Sequence, residues 1–149
     1  MDVKREGIHF LKAPCHFYYP EFDNEDDFCD FLINELEEKI IEIGPENIMA
    51  FIAEPILASG GVIVPPKNYN YRCWEVVKRY NIIYIADEVV TAFGRLGYWF
   101  ASEHVFGIIP DIIIFAKGIT SGYIPMGGYA VSEKFMSTFS GDEADGCLY

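Results

Sequence analysis

Three ionisable residues follow three apolar runs in this sequence. Residues 48–53 (IMAFIA) lead into Glu54, residues 82–86 (IIYIA) into Asp87, and residues 112–116 (IIIFA) into Lys117. In an open α/β sheet ligands bind beyond the carboxyl ends of the strands, so these three define a candidate site. Neighbouring strands lie about 4.8 Å apart, which lets Asp87 and Lys117 face one small aromatic ligand from opposite ends. An amine at the end of an apolar strand is expected to be partly desolvated, and desolvation favours the free base that forms a Schiff base. A carboxylate opposite it keeps a pyridine nitrogen protonated, the pairing that turns pyridoxal phosphate (PLP) into an electron sink. A plain Asp–Lys salt bridge at the sheet edge is equally compatible with the spacing.

The elements that must position these residues are legible in outline. The three apolar runs show no alternation, which predicts strands buried on both faces, as in the parallel sheet of an α/β protein. Phe28, Phe31, Leu32, Leu36, Ile40 and Ile43 recur at helical spacing, with acids at the helix start and Gly44-Pro45 to stop it. A second helix is expected from about residue 69 to 80, with Trp74, Val77 and Tyr80 inward, and a short one around 98–104. Residues 127–131 suit a further strand, and Ser132 suits the cap of a helix through Phe139. The tail from residue 140 is polar and carries no sign of completing a domain.

Composition bounds the function. The chain has 149 residues, 51% apolar and 16% aromatic, which excludes a disordered protein and allows one full core. The net charge is −12, but residues 21–42 hold ten acids against Lys39 alone, so −9 belongs to one helical segment and reads as a solvated face. Clustered Lys and Arg are missing, which argues against nucleic acid as the ligand. No apolar run approaches the roughly 18–20 residues of a membrane helix, and no signal peptide is visible at the start. A cytoplasmic location is the expectation. Cys15, Cys29, Cys73 and Cys147 are too dispersed for a CxxC pair, and no structural metal is expected. Two nucleotide readings fail: Asp87-Glu88 resembles a magnesium-binding strand end, but GxxxxGK[ST] does not occur, and no strand is followed by GxGxxG.

Glu54-Pro55, Gly60-Gly61, Val64-Pro65-Pro66, Ile85-Ala86-Asp87-Glu88-Val89, Phe93-Gly94-Arg95-Leu96-Gly97, Pro110-Asp111 and Ala116-Lys117-Gly118 occur in an order and spacing that resembles class III aminotransferases. These are PLP-dependent enzymes of fold type I, and the resemblance runs from about residue 10 to the end. It implies that Lys117 holds PLP and shuttles the substrate proton, that Asp87 pairs with the pyridinium nitrogen, and that Val89 packs on the ring. Glu54 is implied to lie near the cofactor and help fix Asp87. Arg95 reads as a loop residue bonding backbone carbonyls in preference to a substrate contact, and Gly60-Gly61 as a tight turn in preference to an anion nest. Ser59 stands where ornithine and 4-aminobutyrate enzymes carry a second glutamate. With the SGYIPMG stretch at 121–127, this resembles the omega-amine, beta-alanine or taurine:pyruvate branch.

Family members are much longer. Their phosphate-binding Gly-Ser turn and ring-stacking aromatic lie upstream of the matched motifs, and a threonine from the second subunit lies downstream. The resemblance therefore implies that residues 1–149 are an incomplete PLP-binding large domain, mostly parallel sheet with flanking helices, with no separate second domain. An amino donor and a keto acid such as pyruvate would be its substrates and a homodimer its assembly. The chain alone is expected to be inactive; the alternative is a non-catalytic pseudoenzyme or partner-binding fragment.

Overall fold

The computed structural model describes residues 6–139, so the polar tail and Cys147 lie outside the described residues. The helix α1 spans Glu25–Ile43, followed by β1 (Ala50–Ala53), α2 (Tyr69–Arg79), β2 (Ile83–Asp87), α3 (Ala101–Phe106), β3 (Ile112–Phe115), β4 (Gly128–Val131) and α4 (Glu133–Phe139). One four-stranded sheet has the order β1-β2-β3-β4; β1, β2 and β3 run parallel, and β4 is an antiparallel edge. This is the expected α/β architecture, a mostly parallel sheet with flanking helices.

The core lies between one sheet face and the helices α1 and α2. Phe28, Leu32, Leu36 and Ile40 are buried as their spacing predicts, joined by Cys29 and Ile33. Asn24 caps α1 by accepting from the Asp27 amide at 2.8 Å, three acids fill the first turn, and Gly44 ends the helix at φ 87°. On α2, Val77 is fully buried, and Trp74 and Tyr80 pack at the margin, with Tyr69, Cys73 and Val76 completing the inner face. The acidic helix is not merely solvated. Asp30 pairs with Arg72 at 2.7 Å and Glu37 with Arg79 at 3.2 Å, bridging α1 to α2.

Two expectations require correction. The sheet is not buried on both faces among the described residues. Phe51, Tyr84, Ala86 and Ile113 share the core side by register, whereas Ile52 on the opposite side is 56% exposed. An apolar run signals that a face can be covered, but coverage depends on which elements pack there, and the two long helices α1 and α2 pack on one side. Ser132 does precede α4, but its hydroxyl makes no hydrogen bond; its carbonyl accepts from the Phe135 and Met136 amides instead.

Candidate active site

The parallel pairing of β2 and β3 brings Asp87 and Lys117 to neighbouring strand ends. Asp87 is the last residue of β2 and sits opposite Ile114 in register. The next amide, of Glu88, donates to the Ile114 carbonyl at 2.8 Å, so the ladder continues past Asp87 and holds its backbone. One carboxylate oxygen of Asp87 accepts from the Val89 amide at 3.1 Å, a local bond that orients the side chain. The other oxygen makes no hydrogen bond with a described residue.

Lys117 follows β3 by one residue, Ala116, and opens a 3-10 turn through Thr120. Its φ is 41°, in the left-handed region. A non-glycine residue there costs about 1–3 kcal/mol, and such strain concentrates at functional sites. An amine at the end of an apolar strand is expected to be partly desolvated; instead the Lys117 side chain is exposed, because it stands beyond the strand on a turn that no described element covers. The alternative Asp–Lys salt bridge does not form, and neither residue makes an ion pair among the described residues. A half-buried carboxylate with an uncommitted oxygen, beside an exposed amine on the next strand, is a donor set that fits a pyridine nitrogen and an aldehyde.

The other motif residues take distinct places. Val89 is half-buried and bonded through its amide to Asp87. Glu54 directly follows β1, but its hydrogen bond runs to the Ala58 amide at 3.0 Å and not to Asp87. It fixes the turn after β1, a job local in sequence. That turn is the tight one expected of Gly60-Gly61: Leu57 and Ile63 pair across it, Gly61 has φ 116°, and Ser59 is exposed. Arg95 departs from its expected role. Its guanidinium makes no hydrogen bond among the described residues; only its backbone amide does, to the Ala92 carbonyl at 3.5 Å. A hollow of about 200 Å³ lined by Trp99, His104, Ile109 and Pro110 includes none of Glu54, Asp87, Val89, Arg95 and Lys117.

Two buried carboxylates were not singled out from sequence. Glu88 is fully buried and accepts from the Ala101 and Ser102 amides at 2.7 and 2.8 Å, the Ser102 hydroxyl at 2.5 Å and the Thr91 hydroxyl at 3.1 Å. Four donors offset the cost of burying the charge. Asp111, before β3, accepts from Lys78 Nζ at 2.8 Å and from the Tyr84 amide at 2.9 Å, tying α2 and β2 to the strand that leads to Lys117. Pro110-Asp111 and Asp87-Glu88 were visible as pairs, but their partners lie up to 33 residues away in sequence and had no local signal.

Known proteins share this fold and sequence. The family described as Aminotransferase class-III matches residues 2–147. The putrescine–pyruvate aminotransferase of Pseudomonas aeruginosa is 49% identical over 141 residues, 93% of this chain and 30% of that protein. Gamma-aminobutyrate transaminase 1, mitochondrial, of Oryza sativa subsp. indica is 50% identical over 112 residues, 75% of this chain and 22% of that protein. Among solved structures, an (S)-enantioselective omega-transaminase from Thermomicrobium roseum superposes with a TM-score of 0.86 at 43% identity, covering 92% of this chain and 30% of that one. The omega-transaminase of Pseudomonas jessenii in complex with PMP superposes equally, at 39% identity over 91% of this chain and 30% of that one. The chain thus spans about three-tenths of the length of several relatives it matches. By motif order, strand topology and these likenesses, the chain belongs to the class III aminotransferases, a family of PLP-dependent enzymes.

Proposed function

We propose that this chain contributes cofactor-holding and proton-moving residues to a transaminase that passes an amino group from an omega-amine or amino acid to a keto acid such as pyruvate. The observation that carries the reading is the juxtaposition of Asp87 and Lys117 on neighbouring parallel strands with neither spent on an ion pair. When bound, PLP supplies an electron sink for charge that develops at the substrate carbon. The chain's own groups do the rest. Lys117 Nζ holds the cofactor and then takes and returns a proton at the reacting carbon. The uncommitted oxygen of Asp87 keeps the pyridine nitrogen protonated, while the Val89 amide holds the other oxygen at 3.1 Å. Val89 would lie against the ring, and Glu54 steadies the adjoining turn through Ala58.

An omega-amine donor with pyruvate is favoured by Ser59, which leaves the turn without a second glutamate, and by the named putrescine–pyruvate and omega-transaminase relatives. Homodimer assembly belongs to the same reading, as does the lack of turnover by residues 1–149 alone. Both are supported by large apolar side chains left outside, such as Trp99 at 76% and Tyr123 at 91% exposure. Two variants of the full PLP-loaded protein test the proposal. Lys117→Ala should lose the visible absorbance of the bound cofactor together with turnover. Asp87→Asn should retain some cofactor and lose most turnover. Wild-type turnover in either variant would end the reading.

A further inference from the structure

Residues 91–100 form a loop closed at both ends by one carboxylate. Glu88 takes the Thr91 hydroxyl at the near end and the Ala101 and Ser102 amides at the far end, and it does so fully buried and with no ion pair among the described residues. Inside the loop the backbone doubles back: the Phe93 amide donates to the Trp99 carbonyl at 2.7 Å and the Gly94 amide to the Tyr98 carbonyl at 2.9 Å. Phe93 stands at the bend with φ 54° and is packed among Trp99, Phe100 and Phe115, with ring centroids 5.6–6.1 Å from its own.

The bend touches the lysine turn. A Cβ placed on Gly118 would lie 2.8 Å from the Cβ of Phe93 and 3.5 Å from the Ala92 carbonyl oxygen. Only a residue without a side chain lets the loop come this near, and the close approach falls on the residue next to Lys117, itself at φ 41°. One carboxylate is therefore joined to both reactive groups: by a single peptide bond to Asp87, and through the loop and Phe93 to the backbone that carries Lys117.

We propose that Glu88 is a positioning residue, which staples the 91–100 loop so that Phe93, pressed on Gly118, sets Lys117 relative to Asp87. This inference rests on the reading of Lys117 and Asp87 given above and adds to it the device that fixes their separation. Glutamine in place of Glu88 keeps one oxygen, which can hold two of the four donors, and turns an NH₂ group toward the Ala101 or Ser102 amide, which already points inward, so Glu88→Gln weakens the staple at its far end. Gly118→Ala acts from the other end, leaving the Glu88 bonds alone while pushing the loop from the lysine turn.

The test uses both variants in the full PLP-loaded protein. The first readout is the pH midpoint at which the visible band of the bound cofactor titrates; the second is the separate effect on kcat and KM. Both variants should move the midpoint and lower kcat by about 10²-fold, the scale expected of a misplacement near 1 Å, with a much smaller change in KM. If Glu88→Gln does not fold, Thr91→Val takes its place, removing the hydroxyl that Glu88 holds at the near end of the loop. A wild-type midpoint and kcat in a folded variant, with only a lowered melting temperature, would overturn the proposal and leave Glu88 a stability residue. The underlying reading fails separately, when Lys117→Ala keeps the visible band.

Discussion

Removing the Asp111 carboxylate should loosen the strand that leads to Lys117, and its cost can be worked from two contacts. Asp111→Ala leaves the amide of Tyr84, a residue 1% exposed, without its acceptor at 2.9 Å. An orphaned buried amide costs about 1–3 kcal/mol. The lost ion pair with Lys78 adds less, because the lysine side chain is 36% exposed and solvent screens the pair, so about 1 kcal/mol is expected. The sum is about 2–4 kcal/mol. Asp111→Asn keeps an acceptor for Tyr84 and gives up only the charge, at about 1 kcal/mol. Lys78→Met should cost more than Asp111→Asn, because it leaves a carboxylate only 7% exposed without its cation. Urea unfolding of the full protein measures all three. Equal losses for Asp111→Asn and Asp111→Ala would refute the ordering, since the ion pair and not the backbone bond would then hold β3.

Two further outcomes follow from the core. Phe28→Ala removes a fully buried ring that lies within 5.1–6.5 Å of the rings of His16, Tyr19, Phe22 and Phe31, and should cost about 3–5 kcal/mol by the same unfolding assay; a loss below about 1 kcal/mol would mean the site collapses freely. Stability should also fall in alkali. Burial pushes the Cys73 thiol up from its ordinary 9.0 to about 12, against the opposing hydrogen bond from Tyr69. Below pH 9 the thiol is protonated folded or unfolded; from 9 to 12 only the unfolded chain ionises, so this contribution is lost as pH rises, by up to about 1.4 kcal/mol per pH unit. The buried hydroxyls of Tyr69 and Tyr84, raised by the same desolvation, push in the same direction at higher pH. Cys73→Ala should flatten the slope between pH 9 and 12, and an unchanged slope would count against the assignment.

What was legible in the sequence was what neighbours in the chain determine. Apolar runs ending at Glu54, Asp87 and Lys117 marked three strands and their exits, and the spacing from Phe28 to Ile40 marked the buried stripe of α1. The turn at Gly60-Gly61 was readable because a tight reversal is a local matter. The features that escaped depend on chain segments meeting at a distance. Glu88 drew attention only through a magnesium-binding reading that fails for want of a phosphate loop, whereas its partners are hydroxyls and amides 3, 13 and 14 residues onward. The exposure of Lys117, its left-handed φ and the open side of the sheet at Ile52 are likewise set by packing that no run of letters specifies. Arg95 sat in a motif, yet its guanidinium bonds nothing among the described residues, because a motif records order and not contact.

The central claim is that Lys117 is the residue joined to the cofactor. Borohydride reduction of the full PLP-loaded protein makes that link permanent, and peptide mapping by mass spectrometry then reads the modified lysine. The expected label falls on Lys117 alone, in the peptide that follows the IIIFA strand. A label on Lys67, Lys78 or any other lysine, with Lys117 unmodified, would contradict the assignment.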